Sequence, residues 1–190
     1  MEQPATPAQP PRLRRHRPAA GLTLVELLCT LAILGVLLGG ALPMLNQLRA
    51  TQALRATADL LETDLQYARS LALTGGQTVR LSVQELADGR ACYLIHTGGA
   101  QACQCQGNGL ARCDAGSQLL RLVDLDPASG IRLASASRSL QFDASKGTVT
   151  PTATLRLTDR DGRAIHQVVN IMGRVRSCSP SGLGGLRPCA

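Results

Sequence analysis

The chain has 190 residues, room for one ordinary domain and an extension. Its aromatic residues are Tyr67, Tyr93 and Phe142, with no Trp, so the core must be built from Leu, Val, Ile and Ala, and a base-stacking platform for single-stranded nucleic acid is argued against. The formal charge is +7; Arg12, Arg14, Arg15 and Arg17 against Glu2 supply +3, which leaves +4 on the remainder. That balance suits an anionic partner, and it suits a solubilising surface equally well.

Residues 1–20 are rich in Pro and Arg and carry no apolar period, so they read as a leader outside the fold. Their arginines precede an apolar stretch, which keeps this end cytoplasmic while the C-terminal side crosses. The stretch, Leu22 to Leu42, is 21 residues long with one charge, Glu26. As a helix it measures roughly 30 Å, the thickness of a bilayer core. Two readings compete. One is a retained membrane helix. The other is an ordinary secretory signal, with Leu27 to Leu38 as its apolar region and Gly39-Gly40-Ala41 as a small-residue cleavage site. Glu26 favours the first, because a carboxylate at membrane depth is costly and calls for a partner.

The helical period resumes beyond Pro43. Leu54, Ala58, Leu61, Leu65, Ala68 and Ala72 form one stripe at spacings of four and three, opposite Arg55, Asp59, Glu62, Asp64, Gln66 and Arg69. Thr74-Gly75-Gly76 ends it, and Pro43 is expected to bend or loosen the helix without stopping it. After Gly76 the period becomes two. Seven strands are expected, over Thr78–Val83, Cys92–Ile95, Leu119–Leu125, Gly130–Leu133, Ser139–Phe142, Ala153–Leu157 and Ile165–Ile171, punctuated by turn pairs such as Asp126-Pro127 and Asp161-Gly162. The fold class is therefore α+β: a long N-terminal helix, apolar in its first half and amphipathic in its second, packed on a small antiparallel β domain. Its expected parts are a leader over 1–21, a membrane helix over 22–42, an amphipathic helix over 43–76, a β head over 77–172 with a Cys-rich insertion at 98–116, and an Arg/Cys tail over 173–190.

Seven Cys are present. Cys29 lies in the apolar stretch, as an inert residue or an acylation site. Six lie beyond it, an even number that suggests up to three disulfides and an oxidising compartment. Cys178 and Cys189 are close in sequence and isolated from the others, so they are expected to pair and to tie down the Gly- and Pro-rich tail. Cys92, Cys103, Cys105 and Cys113 stay unassigned, except that Cys103 and Cys105 are too close for an easy mutual bond. Their C-x10-C-x-C-x7-C spacing is no standard zinc pattern. No metal or cofactor is expected.

No catalytic set emerges. His96 and His166 fall in strands without a nucleophile elbow, and no P-loop or dinucleotide fingerprint is present. Arg174, Arg176 and Arg187 flank the paired cysteines, and two Arg at i and i+2 on an extended strand share a face. Such guanidinium forks suit a phosphate backbone; a solvated, aggregation-guarding strand edge is the competing reading. Arg112, Arg121, Arg132, Arg138 and Arg156 read as scattered surface charges.

Gly21-Leu22-Thr23-Leu24-Val25-Glu26 resembles the class III signal of type IV pilins and type II secretion pseudopilins. The resemblance implies cleavage by a prepilin peptidase after Gly21 and N-methylation of Leu22, where Phe is usual. Glu26 then takes the family's fifth mature position and pairs with the α-amino group of a neighbouring subunit. Gly35 and Pro43 also fall where such pilins often carry Gly and Pro. Leu54 to Ala72, with DLLETDLQYARSLAL, and the ending Asn170-Ile171-Met172-Gly173-Arg174-Val175-Arg176 are similar to the GspH/FimT branch. There a Gly-Arg-x-Arg segment, here Gly173, Arg174 and Arg176, is linked to double-stranded DNA and natural transformation. The resemblance implies a non-enzymatic filament subunit in the bacterial inner membrane, with a periplasmic head and other pilins as partners. Alternatives are a type II secretion subunit without a DNA role and a secreted disulfide-bonded module.

Overall fold

The computed structural model describes Gly21, residues 23–86 and residues 89–189. The leader over residues 1–20 and Leu22, the expected methylation site, lie outside the described residues. The chain divides into two units at Pro43. One helix, α1, runs Leu24–Gly75.

In the first unit, α1 is exposed along residues 24–40, and an 18-residue window averages a hydropathy of 2.2. By length and composition it can cross a membrane. Its first turn is capped locally: the Glu26 amide donates to Thr23 Oγ1 at 3.2 Å, and the Leu27 amide to the Thr23 carbonyl at 3.1 Å. The Glu26 carboxylate thus sits in the first turn, where the helix dipole favours negative charge.

The second unit is a two-sheet head packed on the remainder of α1. Its strands are β1 Val79–Glu85, β2 Ala91–Thr97, β3 Cys103–Gly107, β4 Leu110–Cys113, β5 Leu119–Leu125, β6 Arg132–Ser135, β7 Ser139–Phe142, β8 Val149–Thr150, β9 Ala153–Thr158, β10 Ala164–Val169, β11 Val175–Ser179 and β12 Arg187–Pro188. One sheet has the order β5-β2-β1-β7-β8 and the other β12-β11-β10-β9-β6; β3 and β4 form a hairpin. All pairings are antiparallel except β11 with β12.

The helical stripe is the spine of the core. Leu54, Leu61, Leu65, Ala68 and Ala72 are 0 % exposed and Ala58 2 %. They meet Leu81, Tyr93, Ile95, Leu140 and Phe142 of the first sheet and Leu133, Leu155, Leu157, Ile165 and Val169 of the second. Burying each Leu contributes about 1.5–3 kcal/mol. With so few aromatics, Tyr93 and Phe142 are the largest fully buried side chains. Polar side chains bridge helix and sheet as well. Gln167 Nε2 donates to the Ala58 carbonyl at 3.0 Å, and Ser177 Oγ donates to Glu62 Oε2 at 2.7 Å.

Among the described residues, twelve strands replace the seven expected. The Cys-rich insertion at 98–116 folds as a hairpin. Its strands carry Cys and Gln in place of alternating apolar residues, so no period announces them. They are held by two disulfides, Cys92–Cys105 and Cys103–Cys113, and by the Gln84 amide. That side chain donates to the Cys103 carbonyl and accepts from the Cys105 amide, each at 2.8 Å. The tail is likewise part of the second sheet, since β11 and β12 extend it. The seventh expected strand stops at Val169 because Asn170 begins a turn: its Oδ1 accepts the Arg174 amide at 2.9 Å, and Gly173 closes the turn at φ +71°.

Candidate functional site: an arginine face and a clipped tail

The second sheet has two unlike faces. Ile165, Gln167 and Val169 of β10 point to the helix, so His166 and Val168 point to solvent. Register carries that alternation across the sheet. Cys178 pairs with Arg187 on one side and with His166 on the other; His166 pairs with Arg156, and Arg156 with Ala134. One row of side chains therefore crosses five strands, with an arginine on β12 and another on β9. Three strand spacings separate them, roughly 14 Å. Arg176, opposite Val168, and Arg132, opposite Thr158, lie on the same face. Arg174, just before β11, is exposed beside it.

No Asp or Glu occupies an outward position of β6, β9, β10, β11 or β12. Among the described residues, Arg132, Arg156, Arg174, Arg176 and Arg187 make no ion pair. Other arginines are committed elsewhere. Arg163 bridges Asp159 at 2.6 Å and Asp161 at 2.7 Å, Arg121 holds Asp64 at 2.9 Å, and Arg80 bonds the Gly98 carbonyl and Gln141. Arg156 and Arg132, read from sequence as scattered, thus join Arg176 and Arg187 through strand register. The alternation in Ala153–Thr158 is the signal that put Arg156 outward; which strands lie beside it is not written locally.

The tail is clipped by the Cys178–Cys189 disulfide. Arg55 reaches from α1 to the Gly184 carbonyl within the loop that this bond closes. His166 lies under the clip, its Nδ1 3.6 Å from Cys189 Sγ. Burial, and then the Arg156 guanidinium, hold His166 below the ordinary histidine range. Gly173 has a structural task. A Cβ there would sit 2.8 Å from both Arg69 Cδ and the Gly147 carbonyl oxygen, while Arg69 Nε donates to that same oxygen at 3.0 Å.

The described residues offer no open catalytic pair. Ser82 Oγ lies 2.9 Å from His96 Nε2, but both side chains are buried, and Ser82 is also shared with Ser139 and the Ala100 carbonyl. That is a cross-strand clasp. At the other end of the chain, Cys29 is an exposed free thiol.

An apolar N-terminal helix whose amphipathic continuation forms the spine of a disulfide-bonded two-sheet head defines a pilin-like subunit. The chain belongs to the GspH family, described as type II transport protein GspH, which matches residues 57–173. The prokaryotic N-terminal methylation motif matches residues 16–42. The pilin-like protein PilA1 of Thermus thermophilus is 36% identical over 160 residues, covering 82% of this chain and 96% of that protein. The type IV minor pilin FimU of Pseudomonas aeruginosa shares the fold, with a TM-score of 0.51 at 21% identity over 69% of this chain and 95% of that one. The protein is a minor pilin or pseudopilin, a structural and non-enzymatic subunit of a type IV pilus or type II secretion filament.

Proposed function

We propose that this subunit is cut after Gly21, methylated on Leu22 and stored in the inner membrane through residues 22–42 until its helix is drawn into a filament. Prepilin peptidase and other pilin subunits are its partners in these steps. Glu26 supplies the register, since its carboxylate, costly in lipid, finds a cation in the α-amino group of the neighbouring subunit. The head then faces the periplasm or the exterior and offers the arginine face to double-stranded DNA.

The observation that carries the DNA reading is the acid-free row of Arg187 and Arg156 with Arg176 and Arg174 beside it. Unpaired guanidinium forks at such spacings suit phosphates and confer no base preference. The test is binding of labelled duplex DNA by the full chain in detergent, across salt concentrations. Arg174→Gln with Arg176→Gln should weaken binding for every sequence and flatten the salt dependence by about one unit of slope for each phosphate no longer neutralised. Binding unchanged by that pair, or absent from the unaltered chain at low salt, would remove the DNA role.

A second reading, a type II secretion pseudopilus subunit without a DNA role, is favoured by the description of the matched family. On that reading the arginine face meets an acidic surface of another subunit, and the arginine variants lose filament assembly while DNA is never bound.

A further inference from the structure

His166, Cys178 and Cys189 form a cluster that neither filament assembly nor DNA binding uses. A ring nitrogen of His166 and the two Sγ atoms all lie within 4.8 Å of one another. Strand register fixes two of them, because His166 and Cys178 are cross-strand partners on the outward face. The third follows directly after β12, which lies against β11. A tetrahedral zinc with Zn–N about 2.0 Å and Zn–S about 2.3 Å places adjacent nitrogen and sulfur ligands about 3.5 Å apart. The His166 Nδ1 to Cys189 Sγ separation is 3.6 Å already. The two sulfurs, bonded at present, would have to part. The loop between them contains Gly182, Gly184 and Gly185, each with open space where a Cβ would be.

We propose that when the Cys178–Cys189 bond is reduced, His166 Nδ1 and the two cysteine thiolates form a three-ligand site for a d10 cation of the Zn2+ class, with a fourth position left to solvent. The tail then has two alternative closures: a disulfide when oxidised and a metal bridge when reduced. The electrons come from a dithiol. One of its thiolates attacks a cysteine sulfur, the S–S bond breaks, and the other cysteine leaves as a thiolate. The second thiol of the reductant then displaces the protein sulfur from the mixed disulfide, and the reductant departs as a cyclic disulfide. Metal binding sends the two cysteine protons to solvent. The ligand set, one imidazole and two thiolates, is that of a zinc site with an open position, and the two thiolate charges cancel that of the cation. Arg156, Arg176 and Arg187 surround the site, so it remains cationic overall with the metal bound.

The test uses the full chain in detergent, reduced anaerobically with dithiothreitol that is then removed. Zn2+ is added, exposed thiols are alkylated with iodoacetamide, and each cysteine is read by peptide mass. Mapping by site keeps the four hairpin cysteines from confusing the result. Zn2+ should protect Cys178 and Cys189 together, and His166→Ala should remove that protection. Loss of a ligand should cost at least what loss of an outer-shell partner does, about 10–100-fold in affinity. His166→Gln, which keeps the bulk of the side chain, should behave like His166→Ala. Equal alkylation of both cysteines with and without Zn2+ overturns the proposal, and so does full protection in both His166 variants.

Discussion

Tyr93 donates its phenolic hydrogen to Asp64 Oδ2 at 2.7 Å, joining β2 to α1 in the middle of the core. Arg121 Nε reaches the same oxygen at 2.9 Å, so a buried carboxylate is shared by a phenol and a guanidinium. Asp64 Oδ1 is buried without a donor among the described residues. A charge taken out of water needs both partners, and this one ties the helix to the sheet at a fixed height. Tyr93→Phe is expected to cost about 1–3 kcal/mol, because it leaves the carboxylate oxygen short of one bond. Denaturant titration of the disulfide-intact chain measures it.

The same pair sets an alkaline limit. Burial, then the hydrogen bond to Asp64 and its charge, push the Tyr93 phenol well above its ordinary value. The folded state therefore holds the phenolic proton more tightly than the unfolded state. That stability is fully present below the unfolded pKa of about 10 and is lost as pH rises above it. Unfolding midpoints measured from pH 8 to 11 should fall more steeply above pH 10 in the unaltered chain than in Tyr93→Phe.

Gly173→Ala separates two uses of the Gly-Arg-x-Arg segment. Its φ of +71° and the 2.8 Å approaches to Arg69 and Gly147 demand a residue without a Cβ. The substitution should destabilise the head by about 1–3 kcal/mol without removing a charge. Thermal unfolding followed by circular dichroism checks it. A Gly173→Ala chain as stable as its parent would show that the turn tolerates a Cβ.

Arg156→Gln tests the face rather than the tail. It lies on β9, outside the Gly-Arg-x-Arg segment, and its side chain makes no ion pair among the described residues. Stability should change by less than about 0.5 kcal/mol, as for an ordinary surface substitution. DNA affinity should fall at low salt, measured by the same duplex titration as the tail variants. Retained affinity alongside loss in the tail variants would confine the binding surface to Arg174 and Arg176.

Legibility followed the range of the signal. The stripe from Leu54 to Ala72 was readable because an α-helix writes its buried face at spacings of three and four. The larger strands were readable because a half-buried strand alternates. β3, β4, β8, β11 and β12 were not: β8 and β12 are two residues long, and Gln84, Ser177, Ser179 and the disulfides do much to hold the others. The arginine face was hidden for a different reason. Arg156 and Arg187 meet only through the register of β9, β10, β11 and β12, and no local pattern states which strands are neighbours.

Glu26→Gln should leave membrane insertion intact, since it removes a charge from an apolar helix, and should impair filament assembly. Membrane fractionation and counts of surface filaments separate the two effects. Loss of both together would give the carboxylate a role in insertion instead.

The most direct measurement is the mature N-terminus, read by mass spectrometry of the chain isolated from membranes. The expected chain begins at Leu22 and carries a methyl group on its α-amino nitrogen. A chain that begins at Leu42 would contradict it, because cleavage there removes both the apolar helix and Glu26.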